Sequence, residues 1–394
     1  MSDIARVLLL VESSRAYGRG CLLGVAGYLR THAPWRIFHI ERGLDQEIGP
    51  DIQRWKAQGV IARIESAAMA DRLARLRIPV VDLRGSFAIA GIERFDTDPV
   101  QCARLAAEHL LGRGFRSLAY CGFDGVDFSD QRGSAFESIL HERGMTCARF
   151  SPTTDHHAGT LIHESRGEFD IEPIARWLRS LPRPVGIFAC NDIRARQIIA
   201  ACSAASLAVP DEVAVVGVDN DEVLCELSET PLSSIEPDTY RIGYEGAARL
   251  DEMMQTRPTT RPESTPPATL IEPRRLVVRR SSDAIAVDDP DLAAALRVIR
   301  DRATEGINVS HVLESVTVSR ATLERRFQDV LGTTPKKEID RLRLLRARQL
   351  LHETTYPLDR IATMSGFGSA AHLSVVFKQT VGLSPGAFRQ QRHG

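Results

Sequence analysis

The 394-residue chain has no closely spaced cysteine pair, no apolar run long enough to span a bilayer, and no phosphate-cradling loop ending in Gly-Lys-Ser or Gly-Lys-Thr. Each absence removes a class of protein. The 7 cysteines (Cys21, Cys102, Cys121, Cys147, Cys190, Cys202 and Cys225) are odd in number and scattered, which argues for reduced, mostly buried thiols instead of a disulfide framework or a zinc site. The first apolar stretch, Val7 to Val11, is flanked by Asp3, Arg6 and Glu12. It is too short for a membrane span and lacks the flanks of an export signal, so a cytoplasmic protein without membrane attachment is expected. Asp124, Asp127 and Asp130 do not follow a calcium-loop pattern, and adjacent His156 and His157 with His163 do not match tetrahedral metal spacing. Neither catalysis nor a cofactor nor a metal is expected.

What is present is enough for two or three folded units, with 43% hydrophobic and 26% charged residues. The net charge of -1 hides an uneven distribution: from Asp289 to Gly394 there are 16 Lys or Arg against 11 Asp or Glu. A basic tail behind an acidic body suits a module that approaches a polyanion.

The body alternates short apolar strands with helical patterns. Strand candidates are 6–11, 35–40, 59–64 and 78–83, then 117–121, 185–190 and 213–218, with 269–278 strand-like again. This pattern predicts parallel sheets covered by helices on both faces. Polar residues follow strand ends at Glu12, in the loop Gly122 to Asp130, at Asn191-Asp192 and at Asp219-Asn220. In open α/β sheets ligands bind outside those ends, so two such units in series can face each other across a cleft. Asp219 and Asp192 offer acceptors, Asn191 and Asn220 offer both functions, and Arg132 offers donors. Arg15, Arg84 and Asp98 are further candidates from the first unit, and Tyr17 or Phe87 could supply an apolar surface for a ring. Asp192 could equally cap the following helix, and Asp221 could cap or serve a turn.

The tail repeats itself at an offset of 50 residues: Ser319, Leu323, Phe327, Gly332 and Pro335 recur as Ser369, Leu373, Phe377, Gly382 and Pro385. The serines cap helices, Leu and Phe at i and i+4 share one face, the glycines end the helices, and the prolines open the next ones. Shorter helices, 309–315 and 358–364, precede each copy, giving two helix-turn-helix units joined by a helix over 335–351. An all-helical packing domain would show the same Leu/Phe stripe. Arg320, Glu324 and Arg325 off that stripe, with Lys336, Lys337, Arg341, Arg343, Arg346 and Arg348 nearby, favour DNA.

Residues 292–390 resemble the DNA-binding domain of the AraC/XylS family through Ile361-Ala362, Ser365-Gly366-Phe367-Gly368-Ser369, Phe377-Lys378, Gly382-Leu383-Ser384-Pro385 and Phe388-Arg389. The body resembles the periplasmic-binding-protein-like sensor of LacI-type regulators through Asn191-Asp192, Val216-Gly217-Val218-Asp219-Asn220 and Ser233-Ser234-Ile235. An AraC-type tail behind such a sensor is similar to the xylose operon regulators, and Ala16-Tyr17-Gly18-Arg19 and Asn191-Asp192-Ile193-Arg194-Ala195-Arg196 agree. The expected fold is therefore α/β, a two-lobed sensor with parallel sheets plus an all-α C-terminal domain with two helix-turn-helix units. Residues 1–280 would be the sensor (first lobe 4–110 and 236–264, second lobe 114–234 and 267–280), 281–291 a linker, and 292–391 the DNA-binding domain.

The resemblance implies a sugar-responsive activator bound to double-stranded operator DNA, with D-xylose as effector, a homodimer, and contact with RNA polymerase. Another pentose or related sugar, or repression, is the alternative. It places Asn191, Asp219 and Arg132 on the sugar. It sends the two capped helices into successive major grooves, with Arg320 and Arg325 on base edges or phosphates and Glu324 accepting from cytosine or orienting the arginines. Thr322 would reach a base or a phosphate, while Ser319, Ser369, Lys336 and Lys337 hold phosphates. In the second unit Ala370 and Ala371 could touch thymine methyls, and His372 and Lys378 are the polar candidates. A transport protein would share the cleft but lack the tail, and a sensor for a protein partner would ignore free sugars.

Overall fold

The computed structural model describes residues 4–32, 34–40, 52–84, 87, 89–150, 171–256, 264–287 and 289–390. His156, His157 and His163 lie outside the described residues. The chain divides into two compact units, Met1–Ala284 and Ile285–Gly394.

The first unit contains two six-stranded sheets. One is built from β1 (Arg6–Leu10), β2 (Arg36–His39), β3 (Gly59–Ala62), β4 (Val80–Leu83), β5 (Glu93–Thr97) and β11 (Thr269–Ile271), in the order β11-β5-β4-β3-β1-β2 and parallel throughout. The other contains β6 (Ser117–Cys121), β7 (Cys147–Phe150), β8 (Val185–Ala189), β9 (Val213–Val218), β10 (Ser233–Glu236) and β12 (Arg275–Val277). Its order is β12-β10-β9-β8-β6-β7, and within it β12 runs antiparallel to β10. Residues 7–11, 60–62 and 213–216 are almost wholly buried, as expected of strands covered on both faces.

Helices α1 (Ala16–Thr31) and α8 (Thr239–Thr256) cover one face of the first sheet, and α2 (Ala67–Ala74) covers the other. α1 and α8 approach so closely that a Cβ at Gly24 would lie 2.0 Å from the Tyr240 carbonyl oxygen. In the second lobe α3 (Pro99–Gly112) and α4 (Asp127–His141) pack together, while α5 (Ile171–Ser180) and α6 (Asp192–Ala204) form the opposite layer. The short α7 (Glu222–Glu226) follows β9. The chain crosses between lobes after Thr97, after Glu236 and after Ile271, so the first lobe's opening segment ends at Thr97 and not at residue 110, because α3 packs against α4 and the second sheet.

The last crossing corrects the expected lobe boundary. Residues 267–280 do not all join the second lobe, because Thr269–Ile271 pairs with Phe95–Thr97 in the first sheet. Pro273 cannot donate to a strand ladder, and the single strand read over 269–278 breaks around it into β11 and β12, one for each lobe.

The expected linker is shorter than 281–291. Ser281 and Ser282 are fully buried, Ser281 Oγ donates to the Val215 carbonyl, and Arg113 pairs with Asp283 at 2.6 Å. The second unit starts with α9 (Pro290–Arg302), whose N-cap Asp289 accepts from the Asp291 and Leu292 amides.

The remaining helices follow the repeat. They are α10 (Val309–Leu313), α11 (Arg320–Leu331), α12 (Pro335–Glu353), α13 (Leu358–Met364), α14 (Ala370–Val381) and α15 (Pro385–Gln390). Ser319 accepts from the Thr322 amide and Ser369 from the His372 amide. Gly332 and Gly382 end the two helices with φ of 65° and 80°, in the left-handed region. Leu323 and Phe327 fill one core with Leu292, Ile299 and Ile339; Leu373 and Phe377 fill another with Leu344, Leu350 and Leu351. Because Ile339 and Leu344 both lie on α12, that helix serves both cores.

Candidate ligand cleft and nucleic-acid interface

The carboxyl ends of the two sheets meet around a polar cleft lined by Arg15, Ala16, Tyr17, Arg63, Arg84, Phe128, Asp192, Ile193, Asp219, Asp221 and Leu224. Arg84, just after β4, donates from Nη1 to Asp219 Oδ1 at 3.1 Å, and Asp219 follows β9 in the other lobe. The Ala16 amide donates to Asp221 Oδ2 at 3.2 Å, and Arg94 pairs with Asp127 at 3.2 Å, further polar links between the lobes. Asp221 was a capping candidate, but its side chain makes no cap bond to α7 and bridges to α1 instead.

The Arg84 guanidinium lies 4.3 Å from the Tyr17 ring centroid and 4.5 Å from that of Phe128. Burial opposes its charge, yet Asp219, Tyr17 and Asp96 together leave it above its ordinary pKa. The Tyr17 hydroxyl, within 3.5 Å of Asp96 and Thr97, is driven well above its usual range, first by burial and then by Asp96. Arg63 is held by Glu12 and Glu65, and Glu12 Oε2 is buried without a partner. The first-lobe wall is thus a set of fixed charges around the Tyr17 ring, with Phe128 of the second lobe covering Arg84 from the other side, an arrangement suited to a ligand with hydroxyls and an apolar face.

Of the nine ligand candidates from the sequence, Arg15, Tyr17, Arg84, Asp192 and Asp219 line the cleft. The other four are engaged nearby. Arg132 is buried, donates to the Cys190 carbonyl, and lies 5.2 Å from the Phe128 ring. Asn191 caps α6 by accepting from the Arg194 amide. Asn220 accepts from Arg279 at 2.9 Å. Asp98 caps α3 through the Val100 and Gln101 amides. Phe87 packs into the first-lobe core.

Asp192 does not cap α6. It receives the Ser234 hydroxyl on Oδ1, and the Asp221 amide and Cys225 thiol on Oδ2. Burial, then the neighbouring Asp219, pushes its pKa up to about 8. Sequence reading missed Arg63 and Phe128. Arg63 follows a strand end, which is the signal that could have found it; Phe128 sits in the loop-to-helix turn after β6, where no periodicity marks it.

In the second unit the α11 face carries Arg320 and Arg325, both exposed. Arg320 Nε donates to Glu324 Oε1 at 2.9 Å, with 62% and 42% of those side chains exposed, so the pair is easily opened toward another acceptor. Thr322 shares a hydrogen bond with Ser319 Oγ at 3.0 Å. Lys336 and Lys337 are exposed in the first turn of α12, whose N-cap Thr334 accepts from the Lys337 amide. On α14, Ala371, His372 and Lys378 are exposed and Ala370 half-buried; His372 packs edge-on against Phe367 at 5.4 Å. Val375, 55% exposed, occupies the position of Arg325 in the repeat and was missed.

Arg343 was counted among the DNA-facing charges and is not one. It is buried, donating to the carbonyls of Ala303 (2.9 Å) and Ile307. Asp124 and Asp130 face Arg149, and Asp127 faces Arg94. Among the described residues no helix is long and apolar enough to cross a membrane.

Comparison with known proteins places both units. Residues 6–93 match the XylR N-terminal domain, 107–282 the periplasmic binding protein-like domain, and 312–391 a helix-turn-helix domain. The chain is 31% identical over 397 aligned positions to the xylose operon regulatory protein of Escherichia coli (strain K12), spanning 98% of this chain and 96% of that one. It is 28% identical to the protein of that name from Haemophilus influenzae, over 98% of both. A solved structure described as the xylose-binding transcription activator xylR superposes with a TM-score of 0.73 at 29% identity, covering 99% of each chain. A LacI family regulator from Enterococcus faecium with bound ribose matches 72% of this chain with a TM-score of 0.54 at 18% identity, a likeness of fold alone.

Proposed function

The chain belongs to the family of xylose operon regulatory proteins, and from that membership we propose that its cleft binds D-xylose and that its tail, paired in a homodimer, activates transcription from the operator it occupies. Its place in that family makes it a sugar-sensing, AraC-type transcription regulator and not an enzyme. The observation that carries the ligand reading is the Arg84–Asp219 link across the lobes. A pentose is neutral and rich in hydroxyls, so it can take the place of such a link by accepting from the arginine and donating to the carboxylate. Tyr17 and Phe128 would cover its C–H face, and Arg15, Arg63 and Asp192 lie within the same lining.

Arg132, Asn191, Asn220 and Asp98 are held by protein partners and would reach the ligand only by giving up those bonds. Ligand contacts completed by both lobes favour the closed state by population shift. Pairing two tails multiplies weak half-site affinities, which is the argument for a dimer. Activation through RNA polymerase, and a cytoplasmic location, follow from the same family reading. The deciding experiment is a thermal-shift screen of pentoses and hexoses with the wild-type chain and with Asp219→Ala. D-Xylose should stabilise the wild type, and Asp219→Ala should need roughly tenfold to a hundredfold more sugar for the same shift. Stabilisation by a different sugar would reassign the effector, and no response to any sugar would overturn the cleft reading.

A further inference from the structure

Arg279 ties the exit of the sensor to the cleft. Arg279 follows β12 and directly precedes the turn Arg280–Ser282 that ends the first unit. Its Nη1 donates to Asn220 Oδ1 at 2.9 Å and to the Leu232 carbonyl at 3.0 Å, and its Nε donates to Glu226 Oε1 at 2.6 Å. Only 13% of the side chain is exposed. Its own backbone is fixed as well, the amide donating to Ser233 Oγ and the carbonyl accepting from it, both at 2.8 Å.

Two of the three partners of that guanidinium, Asn220 and Glu226, lead back to the ligand cleft. Asn220 adjoins Asp219, and the two hold φ of 44° and 111°, a strained pair whose shape changes if Asp219 is pulled. Glu226 closes α7, whose Leu224 and preceding Asp221 line the cleft. Beyond Arg279 the chain is already anchored: Ser281 donates to the Val215 carbonyl, Ser282 meets His109 at 2.8 Å, and Asp283 pairs with Arg113. Anchorage therefore does not require Arg279. Its contacts serve to connect the two sides.

We propose that Arg279 is a positioning residue that passes the state of the Asp219–Asn220 turn to the segment leading into the DNA-binding unit, without touching ligand or DNA. The proposal rests on the cleft being the sugar site. Replacement of the Arg84–Asp219 link by a sugar shifts Asp219, Asn220 follows, and the three-way grip of Arg279 draws the exit segment with it. Loss of the grip leaves both binding sites intact and uncouples them.

The test uses the full chain, D-xylose (or whichever pentose stabilises the wild type), and a duplex selected by the wild-type chain from a random pool. Sugar affinity is measured with and without DNA, and DNA affinity with and without sugar. For the wild type the two ratios must agree, since coupling is reciprocal, and a value of roughly 5–150-fold is typical. Arg279→Gln should keep the sugar Kd within about threefold and the unliganded DNA Kd likewise, while both ratios fall below about twofold. Undiminished ratios, or loss of sugar binding itself, would overturn the proposal. If Arg279→Gln does not fold, Glu226→Gln, at a half-exposed position, replaces it; its ratios must drop without a fall in melting temperature, and unchanged ratios again overturn the proposal. A wild type that binds no sugar would defeat the cleft reading instead, and the two failures are told apart by that first measurement.

Discussion

Arg84 and Asp219, 135 residues apart in sequence, meet at 3.1 Å across the two lobes, each at a positive φ, 61° for the arginine and 111° for the aspartate. Side chains rarely tolerate that backbone region, so the meeting is held by the folds around it and not by local preference. A ligand entering here must offer bonds at least as good as those it displaces. Asp219→Ala removes the acceptor. A hydrogen bond to a charged group contributes about 1.5–3 kcal/mol, so sugar affinity should fall between roughly tenfold and a hundredfold. Titration calorimetry reads this directly; DNA binding without sugar should persist.

On the proposed DNA reading, Arg325 and Lys337 differ in kind: one would read a base edge and the other would only attract the backbone. Arg325→Ala should relax preference at one base pair by about 1–3 kcal/mol, measured by selection from randomised duplexes. Lys337→Ala should weaken binding to every duplex alike and reduce the slope of log affinity against log salt by about 0.9. If both variants lose affinity uniformly, Arg325 is a phosphate contact.

Arg343 is an internal strut between the first helical core and the connecting helix. Arg343→Met keeps an apolar stem but leaves the Ala303 and Ile307 carbonyls without their donors, and each unsatisfied buried acceptor costs about 1–3 kcal/mol. Urea unfolding followed by helical signal should show that loss. Lys336→Met, at an exposed site, should stay within about 0.5 kcal/mol of wild type.

The repeat at 50 residues was legible because caps, helix stops and core positions each demand a residue type at a fixed offset. Ser319 and Ser369, Phe327 and Phe377, and Gly332 and Gly382 stand where those demands place them. Strand ends likewise announced Asp219 and Asn191. The geometry around them was not legible. Whether Asn220 turns to the cleft or to Arg279 depends on a left-handed backbone and a partner 59 residues away. Helical spacing from Ile339 to Ala347 puts Arg343 on the buried stripe and Arg341 off it, but only the carbonyls of Ala303 and Ile307 show how a buried arginine there is satisfied. The split of 269–278 between two lobes turned on Pro273, which was read as part of a continuous strand.

Asp192 makes stability depend on pH in an unusual direction. Burial, then the charge of Asp219, raises its carboxyl to about 8 in the folded chain, whereas an unfolded aspartate titrates near 3.9. Between those values the folded state holds one proton more than the unfolded state. The stabilisation is complete below about 4 and is lost as pH rises through about 8, at a slope near 1.4 kcal/mol per pH unit. Asp192→Asn imitates the protonated group: its amide can donate to Ser234 Oγ, and its carbonyl can accept from the Asp221 amide. Urea midpoints taken from pH 5 to 9 should therefore fall more steeply for wild type than for the variant, with the difference levelling above about pH 8. Parallel curves would mean that Asp192 ionises as an ordinary carboxylate, and its bond to Ser234 would then be donated by the serine at every pH.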